Sequence, residues 1–374
     1  MIKVLYIITS CRRLGPMWQT INIIKNLDRK VFTPYVLAIY PERSADSMKA
    51  EVAAQADFTL IKTGKLRAAI GSLKKIKKYI DELKPDVIHS LGVFPDYIVK
   101  RLKISRHVLT VRNYVYDDYP DKYGKLLGGA LAKIHLKAIK ACRFRVACSE
   151  SLTEIYKSRL NIDIPFIRNG TDTAKFRTGE SKEKLREKLD IPRNKTVFVY
   201  SGAFIGRKNQ AIFLECAKKS EFFDKMFIVL LGDGQDYSAI KEEYADCKNV
   251  LMPGHVDNVA EYLGAADYYV STSKSEGLPN NVLEALAAGL FVILSDIKQH
   301  LEILNVESGL GVAYESGNKE DFVKALSRAV KGYEFSPEKI SGAADRHFSS
   351  ERMAEEYQEL YKKIYSEKTE SRRQ

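Results

Sequence analysis

Two glutamates, Glu276 and Glu284, stand eight residues apart in the strongest local pattern of this sequence. The first follows a predicted strand, Tyr268–Ser273, and the second lies about one turn into the predicted helix that comes next. Between them, the backbone N–H groups of Gly277 to Asn281 lie at a helix N-terminus and would point at a bound anion. Carboxylates beside an anion site are poor phosphate ligands but good acceptors for sugar hydroxyls. The segment therefore predicts recognition of a molecule that carries both phosphate and sugar.

A simpler interpretation of Glu284 stays open. Asn281 and Glu284 have the spacing of a capping box, in which Glu284 would only cap the helix. That interpretation does not account for the Glu-Gly-Leu-Pro run at 276–279, and the segment as a whole favours a functional role.

A turn with adjacent cations follows another predicted strand, Thr196–Ala203. It contains Gly202, Arg207 and Lys208. Because an arginine can bind phosphate with two hydrogen bonds and a lysine adds a point charge, the turn suits a diphosphate. Taken alone, it could equally be a solvated turn between a strand and a helix. It is not a P-loop, since the pattern G-x-x-x-x-G-K-[ST] occurs nowhere in the chain.

Three further turns at predicted strand ends give weaker signals. Gly232 and Gly234 form a Gly-x-Gly turn, which suits close approach to a ligand but is as well explained by a tight turn. His255 and Val256 follow the next strand, where backbone contacts could hold a nucleobase. Gly15 precedes the first predicted helix, whose N-terminus is another candidate phosphate contact.

Several motifs of other enzyme classes are missing. The chain has no Asp-x-Asp pair, which argues against a metal-dependent sugar transferase built on a single sheet. It has no G-x-S-x-G, and its first strand–helix turn lacks G-x-G-x-x-G, so a hydrolase and a nicotinamide enzyme are disfavoured. The five cysteines are scattered, which predicts buried reduced thiols rather than disulfides or a zinc site. We expect neither a metal nor an organic cofactor.

Short runs rich in Val, Ile and Tyr alternate with helical patterns in two series. The first series predicts strands at 3–9, 33–40, 86–90, 107–113, 145–149 and 165–169, and the second at 196–203, 226–233, 249–254, 268–273, 291–296 and 310–314. Such alternation predicts an α/β protein with two Rossmann-like, doubly wound domains that face each other across a cleft. We expect the domains at 1–170 and 171–348, a helix at about 349–366 that packs back on the first domain, and a polar tail at 367–374.

Composition excludes several classes of protein. The chain has 374 residues, 45% of them hydrophobic, which is enough for two domains with buried cores. No apolar run approaches the roughly 20 residues that a membrane-spanning helix needs. The N-terminus lacks the pattern of a secretion signal, and we expect a cytoplasmic protein.

Charge is unevenly distributed along the chain. The first 170 residues carry 31 basic and 15 acidic side chains, a net charge of +16, whereas the remainder carries −4. Much of the excess lies in Lys62–Lys84 and in Lys122–Arg145, where lysines interleave with leucines and isoleucines. Two interpretations stay open: contact with an anionic membrane surface, or ordinary outer helices of an α/β layer. Nucleic-acid binding is the least favoured, since no zinc knuckle, RNA-binding strand or helix-turn-helix spacing occurs.

The sequence resembles glycosyltransferase family 4, a retaining family with the two-domain GT-B fold. The resemblance rests on the Glu-x7-Glu element of Glu276 and Glu284, on the Asn-Gly-x-Asp-x-x-x-Phe element at 169–176, and on the helical pattern from Phe348 to Tyr361. These matches run over most of residues 165–365. The first half is similar more loosely, through 84–89 and 147–150.

The resemblance implies a nucleotide-sugar donor in the second domain. Glu284 would bind ribose hydroxyls, Glu276 the donor sugar and Lys208 the diphosphate, while Gly15 would supply a phosphate contact from the first domain. The backbone that would approach the donor is that of Gly277, Leu278, Pro279 and Asn280.

Two departures from the family pattern concern the proposed chemistry. The family usually has Gly-Arg-Leu where this chain reads Gly202-Ala203-Phe204, so Arg207 is the substitute for the missing arginine. The family also tends to place a histidine after the strand at 107–111, where this chain has Arg112. The role of that histidine is then unfilled, or it passes to Arg112 or to the substrate.

The sequence thus predicts a metal-independent, retaining glycosyltransferase that uses front-face displacement, since no carboxylate is placed as a nucleophile. A UDP-sugar is the first candidate donor and a GDP-sugar the second. The expected acceptor is a glycan or lipid-linked precursor of a bacterial surface polysaccharide, which would bring the protein to the inner face of the membrane. The alternatives are a nucleotide-sugar epimerase, a sugar phosphorylase, or a non-catalytic, basic, membrane-associated binding protein.

Overall fold

The computed structural model describes residues 1–42, 46–61 and 68–370, without the side chains of 68–72 and 368–370. The chain forms two compact units. Unit 1 comprises residues 1–170 and the last helix, and unit 2 comprises residues Thr171–Ser349. Each unit is built on a six-stranded parallel sheet with helices between the strands, so the predicted α/β fold class is confirmed.

Strands and helices alternate along residues 1–160 of unit 1, except that two helices follow the fifth strand. In chain order they are β1 (Ile2–Ile8), α1 (Gly15–Lys25), β2 (Phe32–Ala38), α2 (Lys49–Ala53), β3 (Asp57–Leu60), α3 (Ala68–Leu83), β4 (Val87–Leu91), α4 (Val93–Arg101), β5 (His107–Val111), α5 (Val115–Tyr123), α6 (Lys125–Ala141), β6 (Phe144–Ala147) and α7 (Glu150–Leu160).

The sheet of unit 1 has the strand order β3-β2-β1-β4-β5-β6. Every residue of β4 and β5 is buried, as expected for inner strands of a parallel sheet that helices cover on both faces. β3 was not predicted, because it is a short edge strand whose four residues are all at least partly exposed and include only two apolar side chains.

Unit 2 follows the same plan. Its elements are a 3₁₀ turn (Thr173–Phe176), α8 (Lys182–Lys188), β7 (Thr196–Ser201), α9 (Gln210–Lys219), a second 3₁₀ turn (Phe223–Lys225), β8 (Met226–Leu231), α10 (Tyr237–Glu243), β9 (Val250–Gly254), α11 (Val259–Ala265), β10 (Tyr268–Ser271), α12 (Asn280–Ala287), β11 (Phe291–Ser295), α13 (Lys298–Leu304), β12 (Gly311–Tyr314), α14 (Lys319–Lys331) and α15 (Pro337–Phe348).

The order of strands in unit 2 decides which turns are neighbours. The sheet runs β12-β11-β10-β7-β8-β9, so β7 lies between β10 and β8. All pairs in this sheet are parallel, and the carboxyl ends of the strands therefore meet at one edge. The turns after β7, β8 and β10 are brought together at that edge, and these are the turns that carry Arg207, Gly232 and Glu276.

The last helix, α16 (Ser350–Glu370), returns to unit 1 and packs on α1, β1 and β4. Its buried face carries Tyr357 and Tyr361. The Tyr361 hydroxyl lies 2.7 Å from Nδ1 of His89, and Nε2 of the same histidine lies 2.8 Å from the Thr110 hydroxyl. Tyr357 also bonds Thr110, at 2.8 Å, so the helix is fixed on the sheet by hydrogen bonds as well as by apolar contact.

The structure differs from the prediction at two further places. Residues 165–169 do not form a strand; they meet β6 through an isolated bridge between Ala147 and Phe166. β6 ends at Ala147, and beyond the bridge a hydrogen bond of 3.1 Å from the N–H of Asn169 to the carbonyl of Cys148 joins the two segments. The last helix runs to Glu370, so the first part of the predicted polar tail is helical, and residues 371–374 lie outside the described chain. Residues 62–67 of the predicted basic stretch Lys62–Lys84 also lie outside it.

Candidate functional site

Two loops of unit 2 lie against each other at the carboxyl edge of the sheet: loop A (residues 202–209), after β7, and loop B (residues 272–279), after β10. The backbone N–H of Lys274 donates to the carbonyl of Arg207 at 2.8 Å. The hydroxyl of Thr272 donates to the carbonyl of Lys208 at 3.0 Å, and Nη1 of Arg207 donates to the carbonyl of Ser275 at 2.8 Å. These bonds hold the two loops together.

The loops bring one carboxylate onto two cations. Nζ of Lys208 donates to Oε1 of Glu276 at 2.5 Å, and Nη1 of Arg207 donates to Oε2 at 2.9 Å. Lys208 is 8% exposed and Glu276 is 7% exposed. The predicted residues Arg207, Lys208 and Glu276 are therefore in direct contact, and the cluster carries a net positive charge.

The electrostatics of the cluster keep Glu276 ionised. Burial opposes its ionisation, but the charges of Lys208 and Arg207 and their hydrogen bonds lower the pKa of Glu276 to about 2. Burial also lowers the pKa of Lys208, and the carboxylate of Glu276 opposes that shift. At neutral pH the site thus offers a fixed carboxylate acceptor beside two cations that can bind an anion.

Glu284 lies in a different environment within α12. Burial raises its pKa to about 7, although Lys175 and Lys208 act in the opposite direction. A carboxyl group with this pKa can both donate and accept hydrogen bonds near neutral pH, which suits contact with hydroxyl groups.

The capping-box interpretation of Glu284 is wrong. The residue that precedes α12 is Pro279, and Asn281 lies inside the helix rather than at its cap. Nδ2 of Asn281 donates instead to the carbonyl of Ser201 at 2.5 Å, which ties the start of α12 to the end of β7. Sequence reasoning missed this contact, because nothing local indicates that Asn281 reaches a distant strand.

The glycines of the site allow its loops to approach each other. A Cβ atom on Gly232 would lie 2.0 Å from the carbonyl oxygen of Gly202, and one on Gly234 would lie 2.4 Å from the carbonyl oxygen of Phe204. The backbone φ of Gly232 is 129°, which other residues rarely adopt. Loop packing therefore explains these glycines, whatever role their backbone has toward a ligand.

The remaining predicted residues of unit 2 lie along the same edge. Gly277, Leu278 and Pro279 are buried, and Asn280 is the first residue of α12. His255, which is exposed, and Val256 follow β9, whose last residue accepts a hydrogen bond from the N–H of Gly232 at 2.8 Å.

Gly15 and Arg112 belong to unit 1. Gly15 is exposed and is the first residue of α1. Arg112 follows β5 directly, and its Nη1 donates to Oδ1 of Asn169 at 3.4 Å. Its Nε atom is buried and has no hydrogen-bond partner among the residues that the structure describes. Burial lowers the pKa of Arg112.

Among the described residues, two features are absent. No group of three or more His, Cys, Asp or Glu side chains is arranged to hold a metal ion. No helix is both long enough and apolar enough to span a membrane.

Solved structures share this fold over nearly the whole chain. The sucrose-phosphate synthase from Thermosynechococcus elongatus has a TM-score of 0.81 and 15% identity, covering 97% of this chain and 99% of its own. The Anabaena protein Alr3699/HepE, solved in complex with UDP-glucose, has a TM-score of 0.78 and 15% identity, covering 97% of this chain and 100% of its own. The fold and the paired loops thus define a protein of the GT-B class.

Family profiles narrow this class. The profile described as Glycosyl transferases group 1 matches residues 181–346, and the one described as Glycosyltransferase Family 4 matches residues 18–175. The chain therefore belongs to the glycosyltransferases that carry these two domains, and the resemblance seen in its motifs is confirmed.

Curated relatives of this family match at moderate identity. The UDP-Gal:alpha-D-GlcNAc-diphosphoundecaprenol alpha-1,3-galactosyltransferase of Escherichia coli is 27% identical over 290 residues, which are 73% of each chain. The capsular polysaccharide biosynthesis glycosyltransferase CapH of Staphylococcus aureus is 26% identical over 322 residues, covering 81% of this chain and 84% of its own.

Proposed function

We propose that this glycosyltransferase moves a hexose, with retention of configuration and without a metal ion, from a nucleotide-sugar to a lipid-linked or cell-surface glycan precursor. The observation that carries the proposal is the contact of Glu276 with both Arg207 and Lys208 at the carboxyl edge of the sheet. A UDP-sugar is the first candidate donor, because a solved structure of the same fold contains UDP-glucose; a GDP-sugar is the second.

The proposed reaction builds negative charge on a departing nucleoside diphosphate. Arg207 and Lys208 would stabilise that charge, since preorganised cations in a buried site act more strongly than in water. Arg207 and Lys208 would then exchange the carboxylate of Glu276 for the diphosphate, and Glu276 would accept hydrogen bonds from the donor sugar. Glu284 would bind ribose hydroxyls. No residue is assigned as a nucleophile, and we propose a front-face displacement.

The exposed surface of α6 is the part of the protein that we propose contacts the membrane that carries the acceptor. Leu126 is 93% exposed, and Leu127, Ile134 and Tyr123 of the neighbouring α5 are also exposed. Lys133, Lys137 and Lys140 are exposed on the same helix. Exposed leucines beside lysines are typical of a helix that lies on an anionic bilayer. We propose that α6 brings the enzyme to the inner face of the cytoplasmic membrane, where a lipid-linked acceptor would be found.

Donor binding can be tested with a thermal-shift panel of UDP-, GDP-, ADP- and dTDP-sugars, each with and without EDTA. We expect one nucleotide class to raise the melting temperature of the protein, and EDTA to leave that rise unchanged. If no nucleotide-sugar changes the melting temperature, the proposal fails and a non-catalytic binding protein is favoured.

Product analysis separates the remaining alternatives. An epimerase would convert the donor with no acceptor present, and a phosphorylase would require free phosphate. The transferase needs an acceptor for fast turnover, and the anomeric configuration of its product should match that of the donor.

A further inference from the structure

His300 is a completely buried histidine in the connection next to loop B. It lies in the first turn of α13, after β11, the strand next to β10. Its Nδ1 atom lies 2.9 Å from the carbonyl oxygen of Ser295 and 3.0 Å from the hydroxyl oxygen of the same residue. Because a carbonyl oxygen can only accept, Nδ1 must carry the proton.

A short chain of hydrogen bonds connects His300 to loop B. The hydroxyl of Ser295, which accepts from His300, donates to the carbonyl of Ser273 at 2.6 Å. Ser273 lies three residues before Glu276 and one before Lys274, whose N–H is bonded to loop A. His300 thus supports, from a third strand–helix connection, the loop that holds Glu276 against Lys208.

The other ring nitrogen has no evident structural purpose. Nε2 is buried, and no hydrogen-bond partner lies near it among the residues that the structure describes. Burial lowers the pKa of His300 to about 4, so the ring is neutral and Nε2 is a bare acceptor. The charges that act on the ring are those of Glu276 and Lys208. The connection to loop B therefore runs through Nδ1 and Ser295 alone.

We propose that His300 is a positioning residue for the Lys208–Glu276 pair, acting through Ser295 on the backbone of loop B. It does not itself touch the substrate. This inference rests on the proposed function, because it assigns to His300 the task of holding in place the groups that stabilise the leaving diphosphate.

The test compares His300→Ala, His300→Asn and Ser295→Ala with the wild type, using the donor identified by the thermal-shift panel. We expect kcat to fall by about 10- to 100-fold in His300→Ala, as is typical when reacting groups are displaced by a fraction of an ångström to 1 Å. The dissociation constant for UDP should change much less, because Lys208 and Arg207 remain present. An asparagine can place an N–H close to the Nδ1 position, so His300→Asn should restore most of kcat.

The link through Ser295 gives a second readout. Ser295→Ala should lower kcat as His300→Ala does, and the double variant should be no slower than either single variant, since both remove the same connection. Fully additive losses would overturn the proposal.

A matched control separates positioning from folding. Ile303→Ala removes another fully buried side chain from α13 but no polar contact to loop B. It should lower the melting temperature while leaving kcat per folded molecule unchanged. If His300→Ala behaves like Ile303→Ala, the inference is wrong, although the proposed function stands; if the wild type itself binds no nucleotide, the proposed function fails first.

Discussion

Glu276 holds two cations with one carboxylate, and this shared pairing determines how each single substitution in the site should behave. In the resting protein the carboxylate neutralises part of the charge of Arg207 and Lys208. A diphosphate would compete for the same two cations. The three side chains therefore act as a unit, and their individual contributions will not add.

Replacing Arg207 or Lys208 with alanine should lower turnover by on the order of 10²–10³, because each would stabilise charge on the leaving diphosphate. The measurement is kcat with the donor found in the panel. Lys274→Ala is the matched control, since this exposed lysine lies in loop B and its side chain does not contact the pair; it should leave kcat unchanged. Wild-type rates in both variants would remove the proposed role.

The ion pair also predicts a pH dependence of stability. The pKa of Glu276 falls from an ordinary value of 4.5 to about 2 in the folded protein, so the pairing stabilises the fold above about pH 4.5 and is lost as the pH falls toward 2. Glu276→Gln should lower the free energy of unfolding at pH 7 by on the order of 3 kcal/mol. Urea unfolding at several pH values would measure it, and a difference that does not shrink below pH 4.5 would contradict the assignment.

The sequence was informative about the residues of the site but not about their contacts. Glu276 comes after β10 and Lys208 after β7. Because these two parallel strands are neighbours in the sheet, the residues after them lie close together. That Glu276 would lie directly on Lys208, and that Asn281 would bond Ser201, depends on loop conformations set by the whole unit. Nothing in the sequence around His300 indicated a role in the site, apart from its position after the end of a predicted strand.

At the scale of the elements, the residues of the site are positioned by the close packing of loop A against the turn after β8. Gly202 in loop A and Gly232 in the turn after β8 lie so close together that a side chain on Gly232 would have no room. The absence of a side chain at Gly232 therefore allows the turn after β8 to pack against loop A, which carries Arg207 and Lys208.

Gly232→Ala should destabilise unit 2 by at least about 2 kcal/mol, since strained backbone alone costs on the order of 1–3 kcal/mol. The folded fraction should also bind nucleotide more weakly, because loop A must move. Chemical unfolding and a nucleotide titration would measure the two effects. Gly206→Ala is the control, because a Cβ atom there meets nothing within 4 Å; equal effects of both substitutions would exclude the packing explanation.

The exposed face of α6 leads to a prediction about membranes. Leu126→Glu combined with Leu127→Glu should strongly reduce binding to vesicles that contain anionic lipid, and wild-type binding should weaken with salt as charges are screened. Vesicle co-sedimentation would measure both effects. Leu14→Glu, another exposed leucine of unit 1, is the control and should change binding little. Salt-independent or absent binding would favour the interpretation of α6 as an ordinary outer helix.

At the scale of the whole molecule, the α/β alternation was predictable because buried parallel strands are short apolar runs bounded by turn residues. Most predicted strands agree with the structure to within a few residues. The exceptions have physical causes: β3 is a partly exposed edge strand, and the segment at 165–169 is extended but has only a bridge to pair with. A search for apolar runs finds buried strands, and it therefore misses strands that are partly exposed.

Because α16 packs on unit 1, substitutions on its buried face should lower the stability of that unit. Tyr361→Phe removes the hydroxyl that His89 and Tyr6 share, and should destabilise unit 1 by about 1–3 kcal/mol, because buried polar groups lose their partner. Tyr365→Phe, on the exposed side of the same helix, should have little effect. Thermal unfolding would compare the two, and equal melting temperatures would show that the buried network contributes nothing to stability.

The path of the chain has a consequence for synthesis on the ribosome. Residues 171–349 are contiguous and can close their core as soon as they emerge, whereas residues 1–170 must wait for a helix that is encoded after all of unit 2. Unit 1 is thus translated first but completes its folding last. If translation stops before α16 is made, β1 and β4 lack the helix that packs on them. Nascent chains halted before residue 350 should therefore expose their N-terminal half to chaperones and proteases.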